Sequence, residues 1–212
     1  KNTWTYFIEP SNFDANTAYA VFDGHTMSDF KPYVMKTTDG GNTWKSVVND
    51  QIPVFARCIK EDHLNPDILY LGTEMGLYIS LDGGNNWARF DNDMPQVAVH
   101  YLTIQKDADA LVMATHGRGV IIIDDLKPLR AINESLLSKD LEFITLDPAV
   151  INENVTFQEF PAVGEYLGNT PTTSARIVYY MNKRHTFGKM TMEVFDENGL
   201  KVADLAPGKS KG

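Results

Sequence analysis

Carboxylate, imidazole and guanidinium groups recur in the predicted turns and links of this 212-residue chain. Glu74 and Asp93 are candidate acid–base groups, because hydrolysis of a glycosidic bond requires two carboxylates about 5–10 Å apart. Four further side chains are candidates for holding a polar or anionic ligand: His25, Asp29, His116 and Arg118. No spacing of His, Cys, Asp or Glu matches a metal site, and we expect neither a metal nor another cofactor.

Some of these side chains, and two others, also have a structural interpretation. Arg118 could form a bidentate pair with a carboxylate of a neighbouring sheet, and we favour that role over ligand binding. His116 could cap its own turn, and His100 could be a hydrogen-bonded histidine of the core. The single cysteine, Cys58, lies in an apolar run and is predicted to be a buried structural thiol.

Two near-copies of one short motif indicate which elements position these residues. Residues 37–44 read TTDGGNTW and residues 80–87 read SLDGGNNW, so Asp39 and Asp82 are 43 residues apart. This spacing falls within the period of about 40–45 residues that is typical of a β-propeller blade. The flanking strand-like segments repeat at the same spacing, which predicts one four-stranded antiparallel sheet in each repeat.

The motif itself has a mechanical explanation. Two consecutive glycines permit the positive φ angles of a tight turn, and the preceding aspartate can accept hydrogen bonds from amides of its own turn. We therefore interpret the aspartates as turn stabilisers and the tryptophans as core side chains, in preference to catalytic groups and sugar platforms. The residues of the two motifs are Asp39, Gly40, Gly41 and Trp44, and Asp82, Gly83, Gly84 and Trp87.

The two motifs resemble the Asp-box, or BNR, repeats of sialidase-like, sortilin-like and related glycoside-hydrolase propellers. Residues 99–130 resemble the last propeller blade of large bacterial proteins labelled BNR-repeat or sortilin-like glycosyl hydrolases. The third repeat departs from the pattern, because Asp124 is followed by neither Gly-Gly nor Trp. The resemblance implies a bacterial, secreted protein with carbohydrate binding as one expected property.

The predicted fold class is all-β, with β-propeller blades followed by a partial β-sandwich module. We assign residues 1–148 to the three C-terminal blades of a larger propeller, with a short helix at 129–137 and a fourth strand of blade three at 141–146. Residues 149–212 form a linker and part of an immunoglobulin-like module. Three blades do not close a ring, so the remainder of a parent propeller is an expected partner.

Composition narrows the range of partners. A net charge of −9 without a basic cluster argues against nucleic-acid binding. No apolar run approaches the roughly 20 residues of a membrane-spanning helix. With the resemblance, we expect an extracytoplasmic location: periplasmic, cell-surface or secreted.

Three functional hypotheses remain open at this point. The first is a propeller segment that binds a glycan or protein ligand on the face opposite the Asp-Gly-Gly turns. The second is a glycoside hydrolase of sialidase-like or xyloglucanase-like type, whose active site lies only partly in this chain. The third is a sortilin-like peptide receptor. Such a receptor ordinarily carries a cysteine-rich module after its propeller, so the single cysteine of this chain argues against it.

Overall fold

The computed structural model describes residues 3–144 and 175–208. The chain divides into two units, Lys1–Ile132 and Asn133–Gly212. The predicted linker, from residue 149, begins in a segment that lies outside the described residues. The assignment of residues 149–212 to an immunoglobulin-like module stays a prediction.

The first unit consists of antiparallel sheets. Its strands are β1 (Trp4–Pro10), β2 (Ala18–Gly24), β3 (Asp29–Thr37), β4 (Lys45–Ser46), β5 (Ala56–Glu61), β6 (Leu69–Thr73), β7 (Gly76–Ser80), β8 (Ala88–Arg89), β9 (Val99–Gln105), β10 (Ala110–Thr115) and β11 (Val120–Ile123). Strands β1 to β4 and β5 to β8 form two four-stranded sheets in sequence order, and β9 to β11 form a three-stranded sheet. The predicted fold class of all-β, four-stranded antiparallel blades is confirmed.

The sheets pack through their apolar faces. One core cluster joins blades one and two and includes Tyr19, Val34 and Leu71. A second cluster joins blades two and three and includes Leu102 and Met113. Burying each such side chain contributes about 1.5–3 kcal/mol to the free energy of unfolding. These inter-blade contacts fix the positions of the strand ends, and with them the turns that carry the candidate residues.

Blades two and three approach so closely at Gly72 that a side chain does not fit. A Cβ at this position would lie 2.5 Å from the Cys58 sulfur and 2.8 Å from the Val99 carbonyl oxygen. Cys58 is fully buried, as predicted, and its thiol lies 3.7 Å from the Val99 carbonyl oxygen. Burial raises the pKa of Cys58 to about 12, so the thiol is a packing group at this interface.

The Asp-Gly-Gly turns join the third and fourth strands of blades one and two, as their sequence predicts. Asp82 accepts from the Asn86 backbone at 2.8 Å and from the Asn86 amide side chain at 2.7 Å. Gly83 and Gly84 have φ angles of 70° and 95°, which explains why the motif needs glycine there. Asp39 makes the equivalent bonds to Thr43.

The two tryptophans of the motifs differ in burial. Trp87 is 5% exposed and donates its indole N–H to the Val47 carbonyl of the preceding blade at 2.8 Å. Trp44 is 39% exposed, and its indole N–H donates to the Gly41 carbonyl of its own turn at 3.0 Å. The core prediction is therefore confirmed for Trp87 and wrong for Trp44 in the described structure.

The segment after blade three differs from the prediction in two respects. The predicted single helix is two short helices, α1 (Lys127–Ala131) and α2 (Glu134–Leu137). The break follows from Asn133, whose side chain accepts from the Leu136 N–H and caps the second helix. The strand β12 (Leu141–Ile144) pairs with β13 (Val178–Met181) of its own unit, so its prediction as the fourth strand of blade three is wrong.

An arginine of α1 makes the carboxylate pairs that the sequence interpretation gave to Arg118. Arg130 donates to Asp62 at 2.8 and 2.9 Å and to Asp109 at 2.6 and 2.7 Å. Burial raises the pKa of Asp62, but hydrogen bonds from Arg130, the Leu64 N–H and Tyr70, together with the Arg130 charge, outweigh it and leave the pKa lowered. The interaction type is the predicted one, and the arginine is a different one.

The second unit contains two described strand pairs. Strands β12 and β13 form one antiparallel pair, and β14 (Met192–Phe195) and β15 (Lys201–Leu205) form the other. The turn between β14 and β15 is closed by Asp196, whose carboxylate accepts from the Asn198 and Leu200 amides. This hairpin confirms the Asn-Gly turn that the sequence predicts. No helix in the described ranges is long and apolar enough to cross a membrane.

Candidate binding site on the inner strands

Each innermost strand of the three blades contains one extra residue near its first end. The register of strand pairing moves by one residue between Thr5 and Phe7 in β1, between Ala56 and Cys58 in β5, and around His100 in β9. The residues left out of the ladders are Tyr6, Arg57 and His100. A bulge of this kind re-aims a side chain, and bulges are over-represented beside functional sites. All three lie at the sheet ends opposite the Asp-Gly-Gly turns.

Arg57 is the centre of a polar cluster at this end. Its guanidinium donates to Asp23 at 3.2 Å and to one Glu74 oxygen at 2.9 and 3.1 Å. The guanidinium carbon also lies 4.7 Å from the Phe55 ring centroid and 5.4 Å from the Tyr6 ring centroid. An arginine with this many planar and charged partners has a fixed orientation.

His25 is bound into the same cluster through Asp23. Its Nδ1 lies 2.6 and 2.7 Å from the two Asp23 oxygens, and its ring stacks on Phe55 at a centroid distance of 5.1 Å. Because Nδ1 donates to the carboxylate, Nε2 is left to accept a hydrogen bond when the ring is neutral. The 3-10 turn His25–Met27 holds the residue beside the end of β2.

Two further histidines extend the cluster toward blade three. His100 and His116 stack with ring centroids 5.3 Å apart and an interplanar angle of 21°. Burial lowers the pKa of His100, and the positive charges of Arg57 and His116 lower it further, while Glu74 opposes the shift. The charges of Arg57 and Glu74 therefore act on the His100 ring. We call Tyr6, Asp23, His25, Phe55, Arg57, Glu74, His100 and His116 the inner-strand cluster.

A groove of about 740 Å³ lies near the cluster and is lined by side chains from residues 28–35 and 46–53 of blade one and of its link to blade two. Phe30 lines this groove and also packs near Phe55, with ring centroids 6.1 Å apart. Asp29 lines the groove as well and accepts from the Tyr33 hydroxyl at 2.8 Å. Exposed apolar side chains continue around this end of the blades, with Met27 52% and Phe30 58% exposed.

The structure brings some of the sequence-predicted residues together and leaves others apart. His25, Glu74 and His116 belong to the inner-strand cluster, and Asp29 lies in the adjoining groove. Asp93 is exposed in the link before blade three, at a φ of 50°, and makes no hydrogen bond or ion pair with a described residue. Arg118 is likewise exposed and unpaired among the described residues. The ligand-binding or catalytic roles of all six stay predictions.

The arrangement favours ligand binding over acid–base chemistry. Asp23 and Glu74 are both bonded to the Arg57 guanidinium, so each carboxylate is already committed to a charged partner. Among the described residues, no three His, Cys, Asp or Glu side chains converge as metal ligands. The cluster instead offers a fixed acceptor at His25, one Glu74 oxygen that Arg57 does not bind, and the exposed ring of Tyr6.

The sequence interpretation missed Tyr6, Asp23, Phe55 and Arg57. Asp23 ends a strand and Arg57 lies inside an apolar one, so neither residue carried a turn or motif signal. One signal was present: Arg57 and His100 are 43 residues apart, the spacing of the Asp-Gly-Gly motifs. Aligning the inner strands at that spacing would have placed a guanidinium and an imidazole at equivalent blade positions.

Comparisons with known proteins give fold likenesses only. An ancestral GH74 enzyme aligns with 54% of this chain and 14% of its own, at 19% identity and a TM-score of 0.44. The GH74 enzyme of Niastella koreensis aligns with 57% of this chain and 21% of its own, at 20% identity and a TM-score of 0.48. YCF48 bound to D1 peptide aligns with 57% of this chain and 36% of its own, at 19% identity and a TM-score of 0.41.

No family model matches the chain, and no curated protein matches it. The chain spans between 14% and 36% of the length of these three structures.

Proposed function

We propose that this chain is the ligand-binding part of an exported bacterial propeller, and that it holds a glycan or a protein segment against the inner-strand cluster. The observation that carries the proposal is the fixed network in which Asp23 is shared by Arg57 and His25. Such a network holds its polar groups in one geometry before a ligand arrives, which reduces the entropy lost on binding. Further blades of the parent protein would complete the surface.

The aromatic side chains indicate how a ligand would contact this face. Tyr6 is 41% exposed on one side of Arg57. Phe30 is exposed where the groove begins. Exposed aromatic rings beside oriented acceptors suit both the apolar face of a sugar ring and the side chains of a peptide. Both ligand classes therefore enter the experiment.

The test is a binding screen of the 212-residue chain against arrays of glycans and of peptides. Any ligand found is then titrated against Tyr6→Ala and against Phe13→Ala as a matched control. Phe13 is a similarly exposed aromatic residue, but it lies in the turn after β1, at the opposite end of the blade. We expect Tyr6→Ala to weaken binding about tenfold and Phe13→Ala to leave it unchanged. Equal losses in the two variants would contradict the proposed face.

The second candidate is the glycoside hydrolase. It is favoured by one observation, that Asp23 and Glu74 are held near each other by the same guanidinium. Glycosidases hold two carboxylates roughly 5–10 Å apart, and a shared guanidinium is one way to keep two carboxylates close together. Incubation of the chain with any glycan that it binds, followed by chromatography of the products, decides between the two. Hydrolysis that Glu74→Gln abolishes would establish the enzyme, and intact glycan after saturating binding would establish the binding module.

A further inference from the structure

The second unit contains a cavity that the proposed function does not involve. Its volume is about 460 Å³, within the range of about 300–1,000 Å³ typical of small-molecule sites. It lies at the end of the β12–β13 pair, next to the segment that follows β13. All of its lining residues belong to residues 140–190 of this unit.

The polar lining of this cavity is basic. Three consecutive residues, Lys183, Arg184 and His185, line it together with one carboxylate, that of Asp140. Neither Lys183 nor Arg184 makes an ion pair with a described residue. A run of three nitrogen-bearing side chains is notable in a chain with a net charge of −9. The cavity therefore offers an excess of positive charge.

One of these groups has an unmet hydrogen-bonding requirement. The Nε2 atom of His185 is buried and has no hydrogen-bond partner among the described residues. Buried polar side-chain atoms in native proteins are paired in the large majority of cases, and an exception calls for an explanation such as a missing ligand. His185 lines the cavity, and a rotation of its ring that turns Nε2 toward the cavity would let a bound anion accept from an N–H at this position.

The rest of the lining is apolar. Leu141, Met181 and Met190 contribute hydrocarbon and thioether surface, and Met181 is 6% exposed. Phe187 also lines the cavity, yet its ring is 88% exposed. An aromatic ring in this position is available to pack on a bound molecule. The ligand must therefore combine an anionic group with an apolar body.

We infer that this cavity binds an organic carboxylate whose acid group is attached to an apolar or aromatic body. The planar guanidinium of Arg184 matches a carboxylate with two parallel hydrogen bonds, and Lys183 adds a point charge. His185, with its ring turned toward the cavity, would donate its Nε2–H to the same group. A single negative charge suits the site better than a dianion, because Asp140 lies in the same lining. The carboxylate can come from a free acid or from the C-terminus of a peptide that ends in an apolar residue.

The test uses the whole chain and four probes, titrated by calorimetry. They are 3-phenylpropionate, its uncharged amide, and a dipeptide ending in phenylalanine with a free or an amidated C-terminus. We expect each acid to bind about tenfold or more tightly than its amide, because a charge-assisted pair is lost. Tighter binding of the free-acid peptide would assign the ligand to a polypeptide C-terminus, and tighter binding of 3-phenylpropionate would assign it to a free acid.

Variants separate this site from general electrostatic attraction. Arg184→Gln should weaken binding of the acids about tenfold or more. Lys189→Gln removes an equally exposed cation from the same segment, outside the cavity lining, and should have no effect. If Arg184→Gln disturbs the amide spectrum of the β14–β15 hairpin, Phe187→Ala is used as the test variant instead. We expect Phe187→Ala to weaken the affinity for the acids about threefold or more. Equal binding of acid and amide, equal losses in Arg184→Gln and Lys189→Gln, or no saturable binding of any acid would overturn the inference.

Discussion

Replacing Arg57 with methionine should destabilise the first unit by about 3 kcal/mol. Asp23 has a side chain that is 5% exposed, and Arg57 is the cationic one of its two side-chain partners, the other being the His25 ring. Removing one member of a buried ion pair typically costs about 3–5 kcal/mol, because the other charge stays buried. The lower end of this range applies here for two reasons. Asp23 keeps its hydrogen bond to His25, and Glu74, whose side chain is 38% exposed, can be solvated by water once Arg57 is gone. Methionine keeps an unbranched apolar side chain at this position but removes the guanidinium that lies over Phe55.

Two companion variants separate the contributions. Glu74→Gln should lower the free energy of unfolding by less than about 1 kcal/mol, because the Arg57–Glu74 ion pair is partly exposed and the amide oxygen of glutamine still accepts from the guanidinium. Arg57→Met combined with Asp23→Asn should recover at least about 1 kcal/mol relative to the Arg57→Met single variant. The recovery is expected because the double variant no longer buries an unpaired charge.

Urea unfolding monitored by tryptophan fluorescence measures these differences. All three tryptophans, at positions 4, 44 and 87, lie in the first unit, so the signal reports the unit that contains Arg57. Arg118→Met is the matched control, since it removes an exposed and unpaired arginine and should change stability by less than about 0.5 kcal/mol. The reasoning would be refuted by an Arg57→Met variant as stable as Arg118→Met, or by a double variant less stable than Arg57→Met alone.

Three further predictions concern the packing and the turns of the blades. Trp87→Ala should lower the free energy of unfolding, measured in urea, by about 3–5 kcal/mol, because it opens a cavity beside blade one. Trp44→Ala should lower it by less than half as much, because the ring of Trp44 is partly exposed. Burial raises the pKa of Asp82, yet bonds from Asn86 and Ser80 lower it overall. Asp82 therefore stabilises the fold above its unfolded pKa of about 3.9, and this contribution is lost as pH falls through the lower folded value. The free energy of unfolding should therefore fall less between pH 6 and pH 2 in Asp82→Asn than in the unmodified protein. Cys58 should react with a thiol reagent at pH 8 at least about 100-fold faster in urea than in buffer, because burial in the native fold raises its pKa and blocks access of the reagent. Equal rates in urea and in buffer would show that the interface of blades two and three opens readily.

The blade architecture could be predicted from the sequence because it depends on local chemistry. The Asp82 turn needs two positive φ angles and an acceptor for its own amides, and a stretch of eight residues encodes all of this. Strand order follows from short turns between consecutive antiparallel strands. The failure at residues 141–146 has the opposite cause. Those residues read as a strand, but which partner a strand pairs with is decided by distant residues, here Val178–Met181.

The Arg118 assignment shows the same limit for side chains. The sequence indicated an arginine that forms a bidentate pair with a carboxylate of a neighbouring blade, and Arg118, between two glycines, was the candidate. Arg130 fills that role because α1 folds back and brings it to Asp62 and Asp109, which are 68 and 21 residues away. Charge complementarity can be counted in a sequence, but the pairing depends on where the backbone turns.

The candidate site depends on a feature that has no composition signal, the one-residue bulge of each inner strand. Alternation along a strand predicts that Arg57 and Cys58 face opposite sides of the sheet, and it gives no reason for Arg57 to leave the ladder. The bulge recurs in all three blades, with a phenol at Tyr6, a guanidinium at Arg57 and an imidazole at His100. A structural repeat therefore presents three different functional groups at one end of the sheets. The bulge residue takes no part in the strand pairing, so the ladder itself does not fix its side chain, although at Arg57 the ion pairs with Asp23 and Glu74 add a constraint of their own.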